Sequence, residues 1–159
     1  MADFDRAETL VQEWMSPIVI TVDQTDTVRD ALNKLGEHRI SALPVVDSDK
    51  RFVGIVTVAD FLRSVISTDQ TLDSNYPHYD DCLWAVDLIQ RKLGTDQVGT
   101  VMTEVVATVK PGDSMCDAAR NMFGLGLHHL PVVGSNGRLA GILSSTDFVR
   151  LVGDRKFPF

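Results

Sequence analysis

Residues 15–63, MSPIVITVDQTDTVRDALNKLGEHRISALPVVDSDKRFVGIVTVADFLR, are repeated in residues 102–150, MTEVVATVKPGDSMCDAARNMFGLGLHHLPVVGSNGRLAGILSSTDFVR. The two stretches align without a gap at a constant offset of 87 residues, and both contain Leu-Pro-Val-Val at the same place. Roughly a third of the aligned positions are identical. A gapless match of this length indicates an internal duplication, so each copy should form the same supersecondary unit.

The sequence pattern of each copy predicts a unit of two helices and three strands. Short β-branched or apolar runs bounded by polar turns are typical of strands, and the S/T-x-x-D pattern before an apolar face at i, i+3, i+4 spacing opens a helix. In the first copy the order is a strand at Ile18–Val22, a helix opened by Thr27 and Asp30, strands at Leu43–Val46 and Phe52–Val56, and a last helix from near Thr57.

One βαββα unit is too small to bury its own sheet well, because small domains hide a small share of their surface. We therefore expect an α+β fold in which the two repeats pack face to face about a pseudo-twofold axis, with short flanking helices. The expected organisation is repeat one at 8–66, a polar linker at 67–80, and a connecting helix with repeat two at 81–152. Apolar residues at Phe4, Ala7, Leu10, Val11 and Trp14 predict the helix before repeat one.

The composition argues against several classes of function. The formal net charge is −7 and the pI about 4.9, which disfavours a nucleic-acid surface and an anionic membrane surface, since both need a basic face. No apolar run approaches the roughly 18–20 residues of a membrane span. The acidic N-terminus lacks the features of a signal peptide, and Cys82 and Cys116 form no CxxC motif, so a reducing cytoplasm is expected.

These residues resemble the CBS domain, and the pair resembles a Bateman module. The matching pieces are the leading Met with a V-x-T-V strand, the D-T/S-x-x-D-A helix start, the LPVV strand, and G-I-x-T/S-x-x-D before the last helix. The resemblance covers about residues 8–152. It implies a regulatory protein that binds AMP, ADP, ATP or S-adenosylmethionine in two clefts between the repeats. It also implies a homodimer, which could act on an effector protein that the sequence does not identify.

The segments from Gly54 to Asp60 and from Gly141 to Asp147 are the first candidates for ligand contacts. A carboxylate at a helix N-terminus stays ionised and can accept both vicinal hydroxyls of a ribose, while the free N–H groups there suit an anion. In the CBS family, the matching Asp and Ser/Thr contact ribose and phosphate, which points to Asp60, Asp147, Thr57 and Ser144. Helix capping alone is the alternative, and a capping carboxylate can also bind a ligand.

The entrance to the LPVV strand is the second candidate. Small side chains at Ser41 and Ala42 would leave the backbone open to an adenine edge, or they could simply pack. The family resemblance implies that each cleft combines this wall from one repeat with the Gly-to-Asp segment of the other. The stronger site would pair Thr21, Ser41, Ala42 and Leu43 with Ile142, Ser144 and Asp147. The second would pair Thr108, His128, His129 and Leu130 with Ile55, Thr57 and Asp60.

Repeat two carries His128 and His129 where repeat one carries Ser41 and Ala42. The histidines could contact phosphate, more strongly when protonated below about pH 6.5, or they could fill the second cleft. Adjacent residues of a strand point to opposite faces, so no metal site is predicted. Arg63 and Arg150 are interpreted as solvated helix charges, with phosphate contact as the alternative.

The sequence contains no G-x-S-x-G, HExxH or GxxxxGK[ST] motif, so no enzymatic activity is predicted. A ligand-independent dimerisation or adaptor module is the competing function. The role of the terminal Phe157–Phe159 is left open.

Overall fold

The computed structural model describes residues 9–17, 20–68, 82–104 and 107–154. The first part of the predicted N-terminal helix, most of the linker and the tail Phe157–Phe159 lie outside these residues. The described elements are α1 (Val11–Trp14), β1 (Val22–Asp23), α2 (Val28–His38), β2 (Ala42–Val46), β3 (Phe52–Thr57), α3 (Val58–Thr68), α4 (Cys82–Leu93), a 3₁₀ turn (Val98–Thr100), α5 (Met115–Leu125), β4 (His129–Val133), β5 (Leu139–Ser144) and α6 (Ser145–Asp154).

This order confirms an α+β fold with two similar repeats. The first strand of each copy is the weakest element. β1 holds two residues, which pair in parallel with Val45 and Val46, and its counterpart in repeat two is a single parallel bridge between Val109 and Val132. The predicted strand Ile18–Val22 is therefore wrong in its bounds. Residues 18 and 19 lie outside the described residues. The Thr21 carbonyl accepts a hydrogen bond from the Lys34 ammonium at 3.0 Å, so its partner is a side chain and not a neighbouring strand.

The predicted capping residues open the first helix of each repeat. Thr27 accepts the Asp30 N–H at 3.2 Å, and the Asp30 carboxylate accepts the Thr27 hydroxyl at 2.7 Å. The Thr27 hydroxyl and then the Thr27 N–H, which both donate to this carboxylate, favour its ionised form and lower the pKa of Asp30 below its usual value. In the second repeat the Ser114 hydroxyl accepts the N–H groups of Cys116 and Asp117. Both helices therefore begin where the sequence predicts.

The described residues fall into two compact units. The repeat-one unit holds residues 20–49, 53–68 and 82–104, and the repeat-two unit holds residues 9–17, 50–52 and 107–154. The segment that precedes each repeat thus packs with the other repeat. In the repeat-two unit the Val11 N–H donates to the Asp113 carbonyl at 2.9 Å, and in the repeat-one unit the Val98 N–H donates to the Asp26 carbonyl at 2.8 Å.

Each unit has its own apolar core. In the repeat-one unit, α2, α3 and the strands share a cluster with α4, whose Ile89 and Leu93 are buried. In the repeat-two unit, α5 and the strands share a cluster with Val11 of α1, and Phe148 and Leu151 of α6 pack against it. The core thereby fixes the N-termini of α3 and α6 against the ends of β3 and β5, which is where the candidate carboxylates lie.

Candidate functional site

Asp147 lies in the first turn of α6, where its carboxylate caps the helix. Its Oδ2 accepts the Ser144 N–H at 2.8 Å and the Ser144 hydroxyl at 3.0 Å. The residue is only 6% exposed. The bonds that the Asp147 carboxylate is expected to accept from Ser144 in a capping box are therefore present, and both involve Oδ2.

Asp60 occupies the same place at the start of α3 in the repeat-one unit. Its Oδ2 accepts the Thr57 N–H at 2.8 Å and the Thr57 hydroxyl at 2.9 Å. Its Oδ1 accepts the Arg63 guanidinium at 2.6 Å and the Thr103 hydroxyl at 3.2 Å. Asp60 is as deeply buried as Asp147. The two carboxylates share one role as caps but differ in how many donors surround them.

Arg63 and Arg150 pair with these carboxylates one helical turn away. The distance between Arg63 Nη2 and Asp60 Oδ1 is 2.6 Å, and the distance between Arg150 Nη1 and Asp147 Oδ1 is 3.4 Å. Both arginine side chains are mostly exposed. They are solvated, as interpreted from the sequence, but each also places a positive charge beside a candidate ligand carboxylate.

The repeated glycine before each capping segment has a structural reason. A Cβ on Gly54 would lie 2.7 Å from the Thr103 carbonyl oxygen, and a Cβ on Gly141 would lie 2.7 Å from the Ser16 carbonyl oxygen. The residues after these glycines, Ile55 and Ile142, each exchange two backbone hydrogen bonds with Thr103 and Ser16. The glycine at this offset therefore accommodates the lead-in segment, and its repetition is not by itself evidence for a ligand.

The predicted wall residues of repeat one lie in the repeat-one unit at the entrance to β2. Thr21 is half-buried, and its carbonyl is occupied by Lys34. Ser41 is exposed, whereas Ala42, Leu43 and Pro44 are buried. Only the outer part of this segment, around Ser41, is thus open to solvent in the described structure.

The corresponding residues of repeat two lie beside Asp147 in their own unit. His129 is opposite Ser144 in the antiparallel pair of β4 and β5, and the His128 carbonyl accepts the Ser145 N–H at 3.0 Å. Thr108 and His128 are exposed, Ile142 is half-buried and Leu130 is buried. The described structure therefore brings His128 and His129 together with the Ser144–Asp147 segment, while the pairing of either wall with the opposite repeat stays a prediction.

Burial lowers the pKa of His129 below its usual value of 6.5, because an imidazolium is poorly solvated at a half-buried position. The positive charge of a protonated His128 lowers it further, and the carboxylate of Asp147 partly offsets both effects. His129 is thus less protonated near neutral pH than a solvent-exposed histidine. The expected gain in phosphate contact on protonation shifts to lower pH at this residue.

Sequence reasoning missed Thr103 and Lys34. Thr103 lies at the offset of 87 residues from Ser16, and both follow the leading methionine of their repeat, so a hydroxyl at this place in both copies was an available signal. Lys34 has Asn121 as its counterpart in repeat two, so the position is not repeated. In the sequence Lys34 looks like any lysine on the solvated face of a helix, and nothing there indicates that it contacts the Thr21 carbonyl. Among the described residues, no group of three or more His, Cys, Asp or Glu could hold a metal ion.

Comparison with known proteins assigns this geometry to a family. The sequence model of the CBS domain matches residues 11–67 and again residues 98–154. The chain belongs to the CBS domain family. Both CBS matches start at the lead-in segment, at Val11 and Val98, so each matched segment begins with residues that belong to the unit of the other repeat.

Relatives and solved structures agree with this assignment. The chain is 34% identical over 134 residues to the chloroplastic CBS domain-containing protein CBSX1 of Arabidopsis thaliana, covering 81% of this chain and 57% of that protein. It is similar to the crystal structure of CBSX2 in complex with AMP, with TM-score 0.69, 28% identity, and coverage of 91% of this chain and 96% of that one.

A further neighbour is the CBS domain pair of protein MJ0100 in complex with 5-methylthioadenosine and S-adenosyl-L-methionine. The TM-score is 0.71 at 25% identity, and the match covers 93% of this chain and 98% of that one. The chain spans little more than half the length of CBSX1 and 42% of the archaeal protein MJ1225 from Methanocaldococcus jannaschii. In the described ranges, no helix has both the length and the apolar character needed to traverse a bilayer.

Proposed function

We propose that this CBS pair is a non-catalytic regulatory module that binds a ligand containing adenosine, either an adenine nucleotide (AMP, ADP or ATP) or S-adenosylmethionine. The observation that carries the proposal is the buried carboxylate of Asp147, which is fixed at the N-terminus of α6 with one oxygen outside the capping bonds. AMP, methylthioadenosine and S-adenosylmethionine all carry a ribose with two vicinal hydroxyls. A fixed carboxylate can accept both hydrogens, and it does so without first losing conformational freedom.

The N-terminus of α6 supplies the second part of the proposed site. The first N–H groups of a helix have no partner within the helix and favour an anion. In α6 the Ser145 N–H donates to the His128 carbonyl, so the proposed anion would meet the N–H groups that follow Ser145. Ser144 holds the turn that leads into this end, and His128 and Arg150 are exposed cations or potential cations nearby. A phosphate group or the carboxylate of S-adenosylmethionine would be stabilised by these positive charges and N–H groups. In the predicted adenine wall Ser41 is the exposed residue, and an adenine is proposed to contact the wall there, in line with the family resemblance.

Thermal unfolding in the presence of ligands tests the proposal. A ligand that binds only the folded state raises Tm as its concentration rises, by about 2.7 kcal/mol of stability at 100 times Kd. We expect a rise with millimolar AMP, ADP, ATP or S-adenosylmethionine, and a much smaller rise with 2′-deoxy-AMP, which lacks one ribose hydroxyl. Inorganic phosphate is the control for anion binding alone. No rise with any of the four ligands would overturn the proposal.

A second candidate function, ligand-independent dimerisation or an adaptor role, is favoured by a separate observation. In the repeat-two unit large apolar side chains of α5 and α6 are exposed: Phe123 by 92%, Leu125 by 61%, Val149 by 70% and Val152 by 52%. Such groups on a soluble protein indicate an interaction surface, and a second copy of the chain is the occupant that we propose. Sedimentation velocity with and without AMP distinguishes the candidates, since an adaptor keeps the same mass in both conditions.

A further inference from the structure

We infer that the two capping aspartates are unequal as ribose acceptors: Asp147 is open to a ligand, and Asp60 is closed by the hydroxyl of Thr103. This inference rests on the proposed function and names which carboxylate performs it. It assigns to Thr103 a role in limiting the number of ligands that the chain binds.

The acceptor positions of Asp60 are all in use. A carboxylate has about four lone-pair positions, and four donors reach Asp60: the N–H and hydroxyl of Thr57 on Oδ2, and Arg63 and Thr103 on Oδ1. A ribose could bind here only if it displaced one or more of these donors. Hydrogen bonds to a charged group are among the stronger ones in proteins, so the displacement would cancel much of what the ribose hydroxyls contribute.

Asp147 has the same cap but a more open second oxygen. Oδ2 accepts the N–H and hydroxyl of Ser144, as Oδ2 of Asp60 accepts those of Thr57, while the one described hydrogen bond to Oδ1 comes from Arg150 at 3.4 Å. That distance is near the limit of a hydrogen bond, and the arginine side chain is 63% exposed. Such an exposed arginine can move into solvent at low cost, and Arg63, which is 73% exposed, can do the same at Asp60, so the two carboxylates differ chiefly in the contact from Thr103. Oδ1 of Asp147 is therefore available to the two hydroxyls of a ribose.

Thr103 differs from an arginine because its backbone fixes it. Thr103 and Ile55 exchange two backbone hydrogen bonds of 2.9 and 3.1 Å, and a β-branched side chain has few rotamers. Ser16 occupies the same place in the repeat-two unit and exchanges the same backbone bonds with Ile142. Within the described hydrogen bonds, however, the Ser16 hydroxyl does not reach Asp147. The difference between the two carboxylates therefore arises at this one position.

Isothermal titration calorimetry with AMP on the full chain, with S-adenosylmethionine as a second probe, tests the inference. We expect one site per wild-type chain, at least about a tenfold loss of affinity in Asp147→Asn, and less than a threefold change in Asp60→Asn. Asparagine still caps a helix, and circular dichroism confirms that each variant is folded. Thr103→Ala removes the hydroxyl that lies 3.2 Å from Asp60 Oδ1 and leaves space there for a ribose hydroxyl, so a second site should appear.

Thr103→Ser is the matched control, because it keeps the hydroxyl and should leave the stoichiometry at one. Two equal sites in the wild-type protein, or an equal loss in the two aspartate variants, would overturn the inference while leaving nucleotide binding intact. A folded Thr103→Ala variant that still binds one ligand would remove the role of Thr103. Absence of any binding to the wild-type chain would instead refute the proposed function itself, and the inference with it.

Discussion

Gly54 and Gly141 show how one residue type can fix the path of the chain in both repeats. Each lies where a lead-in segment passes so close that a Cβ would contact a backbone oxygen at 2.7 Å. Each of these oxygens accepts one backbone hydrogen bond, and the N–H of the same residue donates a second one, so the oxygen cannot move aside as a flexible side chain could. The requirement for glycine here is steric, and it does not depend on a left-handed conformation.

We therefore predict that Gly54→Ala and Gly141→Ala each lower the free energy of unfolding by about 1–3 kcal/mol, the usual cost of overpacking. Urea denaturation monitored by circular dichroism measures the change. Gly36→Ala is the matched control, since a Cβ there meets nothing within 4 Å and the residue lies within α2. That substitution should stabilise the protein by about 0.5–1 kcal/mol. Equal effects at all three positions would contradict the steric explanation.

His129 predicts a dependence of stability on pH. Its pKa in the folded protein lies below 6.5, chiefly because of burial. At a pH above 6.5 the imidazole is neutral in both states and contributes no dependence. As the pH falls below 6.5 the unfolded chain takes up the proton first, so stability is lost until the pH passes the folded-state pKa.

The measurement is the free energy of unfolding between pH 7.5 and 5 for the wild-type chain and for His129→Gln. The difference between the two proteins should move in favour of the glutamine variant as the pH falls below 6.5. His128→Gln is the control for general effects of the histidine pair. A constant difference across this range would show that burial does not shift the titration of His129.

At the level of the helices, the two repeats end their first helix in the same conformation with different residues. Arg39 after α2 has φ 52°, and Gly126 after α5 has φ 64°. The two positions are 87 residues apart in the sequence. Only glycine adopts the left-handed region without a steric cost, which for other residues is about 1–2 kcal/mol.

Gly126→Ala should therefore destabilise the protein by about 1 kcal/mol, since a Cβ there meets no other atom within 4 Å and only the backbone conformation is penalised. Arg39→Gly should stabilise it by less than that, because glycine also gains entropy in the unfolded chain. Differential scanning calorimetry of both variants checks the opposite signs. A Tm that falls in Arg39→Gly would mean that the arginine side chain contributes contacts that outweigh the strain.

The helices were easier to predict from sequence than the strands, and the reason is local. Thr27 and Ser114 begin their helices as predicted because a capping residue satisfies free N–H groups of its own first turn. A strand depends on distant partners: β1 shrinks to Val22–Asp23 because it pairs only with Val45 and Val46.

The same contrast holds at the candidate site. The caps of Asp60 and Asp147 follow from residues three apart, and the sequence predicted them. The contact of Thr103 with Asp60 joins residues 43 positions apart, and the proximity of His129 to Asp147 depends on the register of β4 and β5. Neither could be derived from local pattern, because the packing of the lead-in segments and the strand register decide them.

For the whole molecule, the duplication provides an internal comparison of one surface. Leu62 and Val65 on α3 correspond to Val149 and Val152 on α6 at the offset of 87 residues. In the repeat-one unit Val65 is buried in the cluster that contains Ile89 and Leu93 of α4. In the repeat-two unit the described residues leave Val149 and Val152 exposed by more than half. Equivalent apolar positions thus have a covering helix in one unit and none among the described residues of the other.

This comparison makes Val65→Lys and Val152→Lys a matched pair. Both positions lie in the last turn and a half of a helix, where the helix dipole favours a cation. The difference between the two changes in stability therefore measures the effect of burial. Val65→Lys should lower the stability by about 3 kcal/mol or more, because it forces a charge and extra volume into a closed core. Val152→Lys should change the unfolding of the monomer by less than about 0.5 kcal/mol.

If a second copy covers α6, Val152→Lys should instead weaken self-association by at least about tenfold, which sedimentation velocity across a concentration series measures directly. Lysine at the centre of an apolar interface must lose its hydration in the dimer, whereas in the monomer it remains in water. Arg120→Lys on the neighbouring helix keeps the charge on an already exposed residue and should leave the association unchanged. A Val152→Lys protein that self-associates as tightly as wild type would place the dimer contact elsewhere, and a monomeric wild-type chain would remove the proposed homodimer altogether.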